Sequence, residues 1–227
     1  MSTQTKSKAI APHLLPIEKN NDTKIKTLLT NIIKMLTERE LLNKNNLKEN
    51  INNITSKIAD NLMYKINLDN YEHLYGKNNG QLIIKIFTLK IISLSKSSDV
   101  IDFFNKYKNN PKILVVRYIS PKTQYQIQYS KVYLHTEIFL EQEMMINLIE
   151  HISVPKHILL SNEKSKKMLE EYHIKNKNLS RILNSDPVSR YYNAKPGQIF
   201  RIIRPSETSG KSIAYRLVIR GQINDYK

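Results

Sequence analysis

Between Arg190 and Arg220 the chain carries Arg190, Lys195, Arg201, Arg204, Lys211, Arg216 and Arg220 against one acid, Glu207. Guanidinium groups are planar and permanently charged. A stretch of this kind therefore suits phosphate oxygens or the carboxylates and carbonyls of an acidic protein face. Tyr191, Tyr192 and Tyr215 lie among these cations. They suit base stacking, and still better packing with the hydroxyl at the rim. Pro205, Ser206, Thr208 and Gly210 look like a phosphate nest at first sight, but no Gly-x-x-x-x-Gly-Lys pattern is present and no helix follows, so no nucleotide site is read there. His151 and His157 flank Pro155; a metal would need further ligands such as His173 and Glu163. With no cysteine in the chain, a structural or interface role is the better reading. No catalytic residue, cofactor site or metal ligand is assigned.

The elements that position these groups follow from the spacing of apolar residues. Ile25, Leu28, Leu29, Ile32, Ile33 and Leu36 recur at steps of three and four, which predicts an amphipathic helix capped by Asp22. Leu47, Ile51, Ile54, Ile58 and Leu62 predict a second helix after the break at Asn43 to Asn46. The Ile-rich run from Leu82 to Ile92, preceded by Gly76 and Gly80, reads as a buried strand. Asp99 caps a short helix through Tyr107, and Pro111 leads into the apolar run Ile113 to Val116. Strand, helix and strand in that order predict a parallel βαβ unit. Polar residues and Pro121 fill the interval from Ser120 to Ser130 before a strand over Val132 to Leu140, and Glu141 to Ile149 fits either helix or strand.

Beyond Glu150, where four of the eight prolines and three of the five glycines lie, turns become denser and a second domain is expected. There Ser161 caps a helix carrying Met168, Leu169 and Tyr172, and Asp186 with Pro187 supplies a cap and a first-turn proline for another. Ile199 to Arg204 and Ile213 to Arg220 then form a strand pair joined through Gly210. The expected organisation is a flexible tail over 1–21, an α/β domain over 22–149 and a small α+β domain over 150–227.

Bulk properties narrow the function classes. With 40% apolar residues, 13 Tyr and 5 Phe in 227 residues, the chain can bury packed cores. It has no cysteine, which suits a reducing compartment. Its longest apolar runs, such as Leu82 to Ile86, fall far short of the roughly 20 residues that span a bilayer, and Met1 to Ile10 does not read as a secretory signal, so no membrane partner is expected. The net charge of +16 implies a polyanionic partner or an acidic protein surface, although Lys, Asn and Ile are abundant throughout, as an AT-rich genome would encode.

The run Ile138-Phe139-Leu140-Glu141-Gln142-Glu143-Met144-Met145-Ile146-Asn147, continuing through Glu150-His151 and Val154-Pro155-Lys156-His157, resembles the entry to the C-terminal domain of the fifth common subunit of eukaryotic DNA-dependent RNA polymerases, a family with an archaeal branch. The resemblance continues through Arg181-Ile182, Asp186-Pro187-Val188-Ser189-Arg190-Tyr191 and Gly197. It ends in Arg204-Pro205-Ser206-Glu207-Thr208-Ser209-Gly210 and Tyr215-Arg216-Leu217-Val218. It covers roughly Glu137 to Ile219. Upstream, only the order of elements and strings such as Leu114-Val115-Val116 are similar to the eukaryotic jaw domain. Two departures occur: Ser180 stands where the family usually has proline, and Asn193 where it has glycine. Asn best tolerates a left-handed backbone, so the turn at Asn193 is expected to persist. Losing the proline is expected to loosen the loop before Arg181 without altering the fold.

The resemblance implies an α/β N-terminal jaw domain, restriction-endonuclease-like and non-catalytic, and a small α+β C-terminal assembly domain. It implies a transcription subunit that docks on the largest polymerase subunit, contacts other subunits, and holds its jaw near downstream duplex DNA, which Lys side chains touch without reading bases. The interface residues it implies are His151, Pro155, His157, Asp186, Pro187, Arg190, Tyr191, Arg204, Ser206, Gly210, Tyr215 and Arg216, with Arg204 and Arg216 making charge-assisted hydrogen bonds. A nuclease would need paired carboxylates, yet between His73 and Thr136 the only acids are Asp99 and Asp102. A free-standing basic DNA-binding protein is the alternative, which the charge permits and no zinc-finger or basic-zipper pattern supports. A cellular protein of this family would work in the nucleus, a viral one in a cytoplasmic factory or the virion.

Overall fold

The computed structural model describes residues 20–56, 58–75, 80–94, 97–130, 133 and 135–221. The tail expected over 1–21 therefore lies, up to residue 19, outside the described residues, as does Gly76. Helix α1 (Asn21–Glu38) buries Leu28, Leu29, Ile32, Ile33 and Leu36 as its spacing predicts. Asn20 rather than Asp22 is its N-cap residue, and Asp22 sits in the first turn, where a carboxylate favours the positive end of the helix dipole. Helix α2 (Leu47–Thr55) stops short of the predicted end. Leu62, at φ +47°, instead turns the chain into β1 (Met63–Asn67), a strand the periodicity did not predict.

After α3 (Glu72–Tyr75), strand β2 (Gln81–Ile91) pairs antiparallel with β1, and Ile84 faces Tyr64. The expected βαβ unit follows as α4 (Ser98–Lys106) and β3 (Lys112–Ile119), parallel to β2 with Ile113 beside Ile84. The polar interval after it is helix α5 (Pro121–Tyr129). Ser120 accepts a hydrogen bond from the Thr123 amide, and Pro121 takes the first turn, where no amide hydrogen is needed. Strand β4 (Thr136–Leu140) runs parallel to β3 and closes the sheet in the order β1-β2-β3-β4.

Both faces of β2 and β3 are covered, which is why they read as unbroken Ile and Val runs. One face packs Leu82, Ile84, Ile113 and Val115 against the α1 stripe; the other packs Ile83, Leu114 and Val116 against Val100, Phe103, Phe104 and Ile127 of α4 and α5.

The short α6 (Glu141–Met144) and a 3-10 turn over Leu148–Glu150 lead to a second sheet. It contains β5 (Lys156–Leu159), β6 (Ser180–Leu183), β7 (Ile199–Ser206) and β8 (Gly210–Ile219) in the order β5-β7-β8-β6, antiparallel except where β6 runs beside β8. The flanking strands β5 and β6 were not predicted. Helix α7 (Asn162–Glu171) begins under the predicted Ser161 cap, and α8 (Pro187–Tyr191) under the Asp186 cap, whose side chain accepts from the Val188 amide at 2.8 Å. Asn193 has φ +50°, the left-handed turn expected where the family has glycine.

Candidate assembly interface

The β7–β8 hairpin positions the outer residues. Side chains alternate across a strand, so Phe200, Ile202 and Arg204 share one face of β7. On the neighbouring strands Arg216 lies opposite Phe200, Ser212 opposite Arg204, and His157 opposite Ile202. The inner part of this face is the buried cluster of Phe200, Ile202, Val218 and Ile182. Arg204 and Arg216 stand exposed at its margin, with no ion-pair or hydrogen-bond partner for either guanidinium among the described residues. Tyr215 is on the opposite face, 5.8 Å from Tyr172, so it does not join the two arginines. At the hairpin tip Ser206 Oγ lies 3.3 Å from Thr208 Oγ1, and Gly210 has φ +68°, which a Cβ would disfavour.

His157 lies half-buried on this face, its ring edge-on to Phe200 at 5.8 Å. Its Nδ1 is 2.7 Å from the Pro155 carbonyl, an acceptor, so Nδ1 carries the proton and Nε2 is the free acceptor. Burial pushes the imidazole toward its neutral form, and Arg216 adds to this, while the Pro155 carbonyl and Asp186 oppose it. His151, in the exposed turn before β5, accepts from the Ser153 amide at 3.2 Å. Among the described residues no three His, Asp or Glu side chains gather as metal ligands do.

Of the remaining expected residues, Tyr191 is buried, Asp186 and Arg190 are partly buried and bonded within the chain, and Pro187 is exposed. Asp186 caps α8 and Pro187 starts it. Arg190 donates to Glu143 at 2.6 Å and to the Ile138 carbonyl at 2.6 Å, and lies over the Phe139 ring at 5.2 Å. Tyr191 is buried in the cluster that also holds Leu36, Ile113 and Phe139. Tyr192 packs on Phe200, donates to the His157 carbonyl, and has its phenol pushed up to about 12, chiefly by burial. Helix α8 is thus a seam that ties the second sheet to β4 and α1.

At that seam lies a network the sequence did not reveal. Arg39, just past α1, makes a two-pronged ion pair with Glu137 of β4 at 2.9 and 2.7 Å. It also donates to the backbone carbonyls of Tyr191 at 2.6 Å and Arg190 at 3.0 Å. Tyr75 at 2.9 Å and Asn193 at 3.0 Å donate to the same carboxylate. Burial alone would raise the Glu137 pKa, but the Arg39 guanidinium, with the Lys195 ammonium and the Tyr75 hydroxyl, more than offsets it and holds the carboxyl below its ordinary range. The partners are far apart in sequence, and only the position of Glu137 at the start of the family-like region gave a signal.

A second sheet with exposed arginines on one margin, joined by a buried seam to a mixed sheet, is the setting in which relatives become informative. Residues 146–218 match the family model for the RNA polymerase Rpb5 C-terminal domain, which sets the class as a subunit of a multi-subunit DNA-directed RNA polymerase. Over 206 residues, 91% of this chain and 97% of the relative, the sequence is 31% identical to DNA-directed RNA polymerase subunit 5 of Acanthamoeba polyphaga mimivirus. It is 47% identical over 83 residues to subunit RPABC1 of DNA-directed RNA polymerases I, II and III of Caenorhabditis elegans, a match spanning 37% of this chain and 39% of that protein. It is also 47% identical over 75 residues to subunit Rpo5 of Thermofilum pendens, 33% of this chain and 94% of that protein. The chain belongs to the Rpb5 family of RNA polymerase subunits.

Proposed function

We propose that this chain is a non-catalytic assembly and jaw subunit of its polymerase. Residues 150–227 form the assembly domain that docks on the largest subunit, and 22–149 form the jaw, with a restriction-endonuclease-like sheet. The observation that carries the docking assignment is the pair Arg204 and Arg216, exposed on one face of the β7–β8 hairpin without an ion-pair or hydrogen-bond partner among the described residues. Exposed guanidiniums next to an apolar cluster suit carboxylates and carbonyls on a protein surface. Capture of the tagged chain from its native source, followed by mass spectrometry, is expected to bring down the two largest polymerase subunits. Recovery of nucleic acid without them would instead support a free-standing DNA-binding protein.

We assign the jaw's contact with downstream DNA to the ends of β2 and β3 and the start of α5. There Lys90 pairs beside the exposed Tyr118, Arg117 is exposed on the other face of β3, and Lys122 is exposed in the first turn of α5. Such cations grip phosphates without reading bases, so binding of downstream duplex by the assembled polymerase should fall with salt. A Lys90→Ala, Arg117→Ala, Lys122→Ala variant should flatten that dependence by about one for each phosphate no longer neutralised. An unchanged slope removes these residues from the DNA surface. One match spanning nearly the whole chain is to a mimivirus subunit, which supports a viral setting, a cytoplasmic factory or the virion, beside the nucleus that a cellular relative would occupy.

A further inference from the structure

A cleft of about 440 Å³ opens beside the seam, between β4 with α5 on one side and the segment from α8 to Lys195 on the other. Its charges do not balance internally. Glu137, at the floor, already accepts from Arg39, Tyr75 and Asn193, and the guanidinium neutralises it. That leaves Lys195, whose ammonium bonds the neutral Asn193 Oδ1 at 2.6 Å and feels Glu137 only beyond ion-pair distance, as a charge shared with Arg39, together with His135 and Arg220 at the rim. None of these three forms an ion pair among the described residues. Ser189 is wholly buried in the cleft wall, and its Oγ has no hydrogen-bond partner. Two exposed cations at the mouth, Lys195 and Arg220, above a buried orphan hydroxyl in the wall are what an anionic side chain would complete. Burial and the nearby lysines hold His135 toward its neutral form, in which it adds hydrogen-bonding capacity rather than charge.

The shape favours a peptide as the source. The volume admits a few side chains, whereas a nucleic-acid duplex is too wide to enter. The cleft also runs along β4, the edge strand of its sheet, beside which an extended segment can lie. We propose that this cleft receives an Asp or Glu side chain carried on an extended segment of a neighbouring polymerase subunit, with Lys195 as its ion-pair partner. The inference rests on the polymerase-subunit reading and adds a contact at the seam, apart from the Arg204 and Arg216 face.

The test is carbodiimide coupling in the intact polymerase purified through the tagged chain and treated with nuclease, followed by peptide mass spectrometry. A bond between Lys195 Nζ and an Asp or Glu of another subunit is expected, lost in Lys195→Arg, which keeps the charge but not the coupling amine. Acylation of Lys195, ready in the free chain, should be lost in the complex. Lys195 joined only to carboxylates of its own chain, such as Glu137, or acylated equally in both states, overturns the proposal. Protection that disappears on nuclease treatment gives the cleft to nucleic acid and overturns it too. If no polymerase is recovered at all, the subunit reading itself fails and takes this inference with it.

Discussion

An Arg39→Ala chain should lose about 3–5 kcal/mol of folding stability, read as a lower urea midpoint, because removing one partner of a buried ion pair strands the other charge. The Arg39 side chain is 1% exposed and that of Glu137 13%, so solvent cannot take over the role of the missing group. Four neighbours are disturbed at once: the carboxylate of Glu137, and through it Tyr75, and the carbonyls of Arg190 and Tyr191. Glu137→Gln should cost a comparable amount by leaving the guanidinium buried without an anion. An apolar double replacement should recover only part of the loss, since the two carbonyls still lack a donor.

Glu137 is held below its ordinary range when folded. Its contribution is therefore complete above the unfolded value near 4.5 and is lost as pH falls from there through the folded value. Stability of the wild type should drop along that descent, and that of Glu137→Gln should follow it less steeply. A loss below about 1 kcal/mol on Arg39→Ala, the range of exposed pairs, would show that the seam is screened.

The Arg204→Ala, Arg216→Ala double variant should keep its fold and lose its grip on the polymerase. Both side chains are exposed and make no ion pair or hydrogen bond among the described residues, so their removal should leave the fold in place. Hydrogen bonds to charged groups are worth about 1.5–3 kcal/mol each when desolvated at an interface, so each substitution should weaken retention roughly 10- to 100-fold. Recovery of the largest subunit in pull-downs at increasing salt, beside circular dichroism of the free variant, separates lost docking from lost folding. Undiminished recovery moves the docking surface away from this face.

How much of this was legible depended on the range over which each feature is written. The α1 stripe and the caps at Ser161 and Asp186 are encoded within a few residues, and the structure reproduces them. Helix α5 was just as local, since Ser120 and Pro121 are a cap and first-turn pair, but its polar content masked the signal. Strands β1, β5 and β6 are four or five residues long and partly exposed, too short for alternation to register.

Which way a side chain faces was less accessible. Arg190 and Arg204 look alike as basic residues of the same family-like region, yet one is spent on Glu143 inside the chain and the other is exposed without a partner among the described residues. The Arg39–Glu137 pair joins positions 98 residues apart, and no local pattern relates them.

Helix α8 has a mechanical meaning as well. Through Arg190 it grips β4 and α6, through Tyr191 it enters the first core, and through Tyr192 it rests on Phe200 of the second. With contacts on both sides of this helix, the two sheets are held by more than the connection from Leu140 to Lys156, which resists swivelling between them. Once the second sheet is seated, the direction in which the first one points is already set, and the chain works as a bracket rather than as two tethered beads.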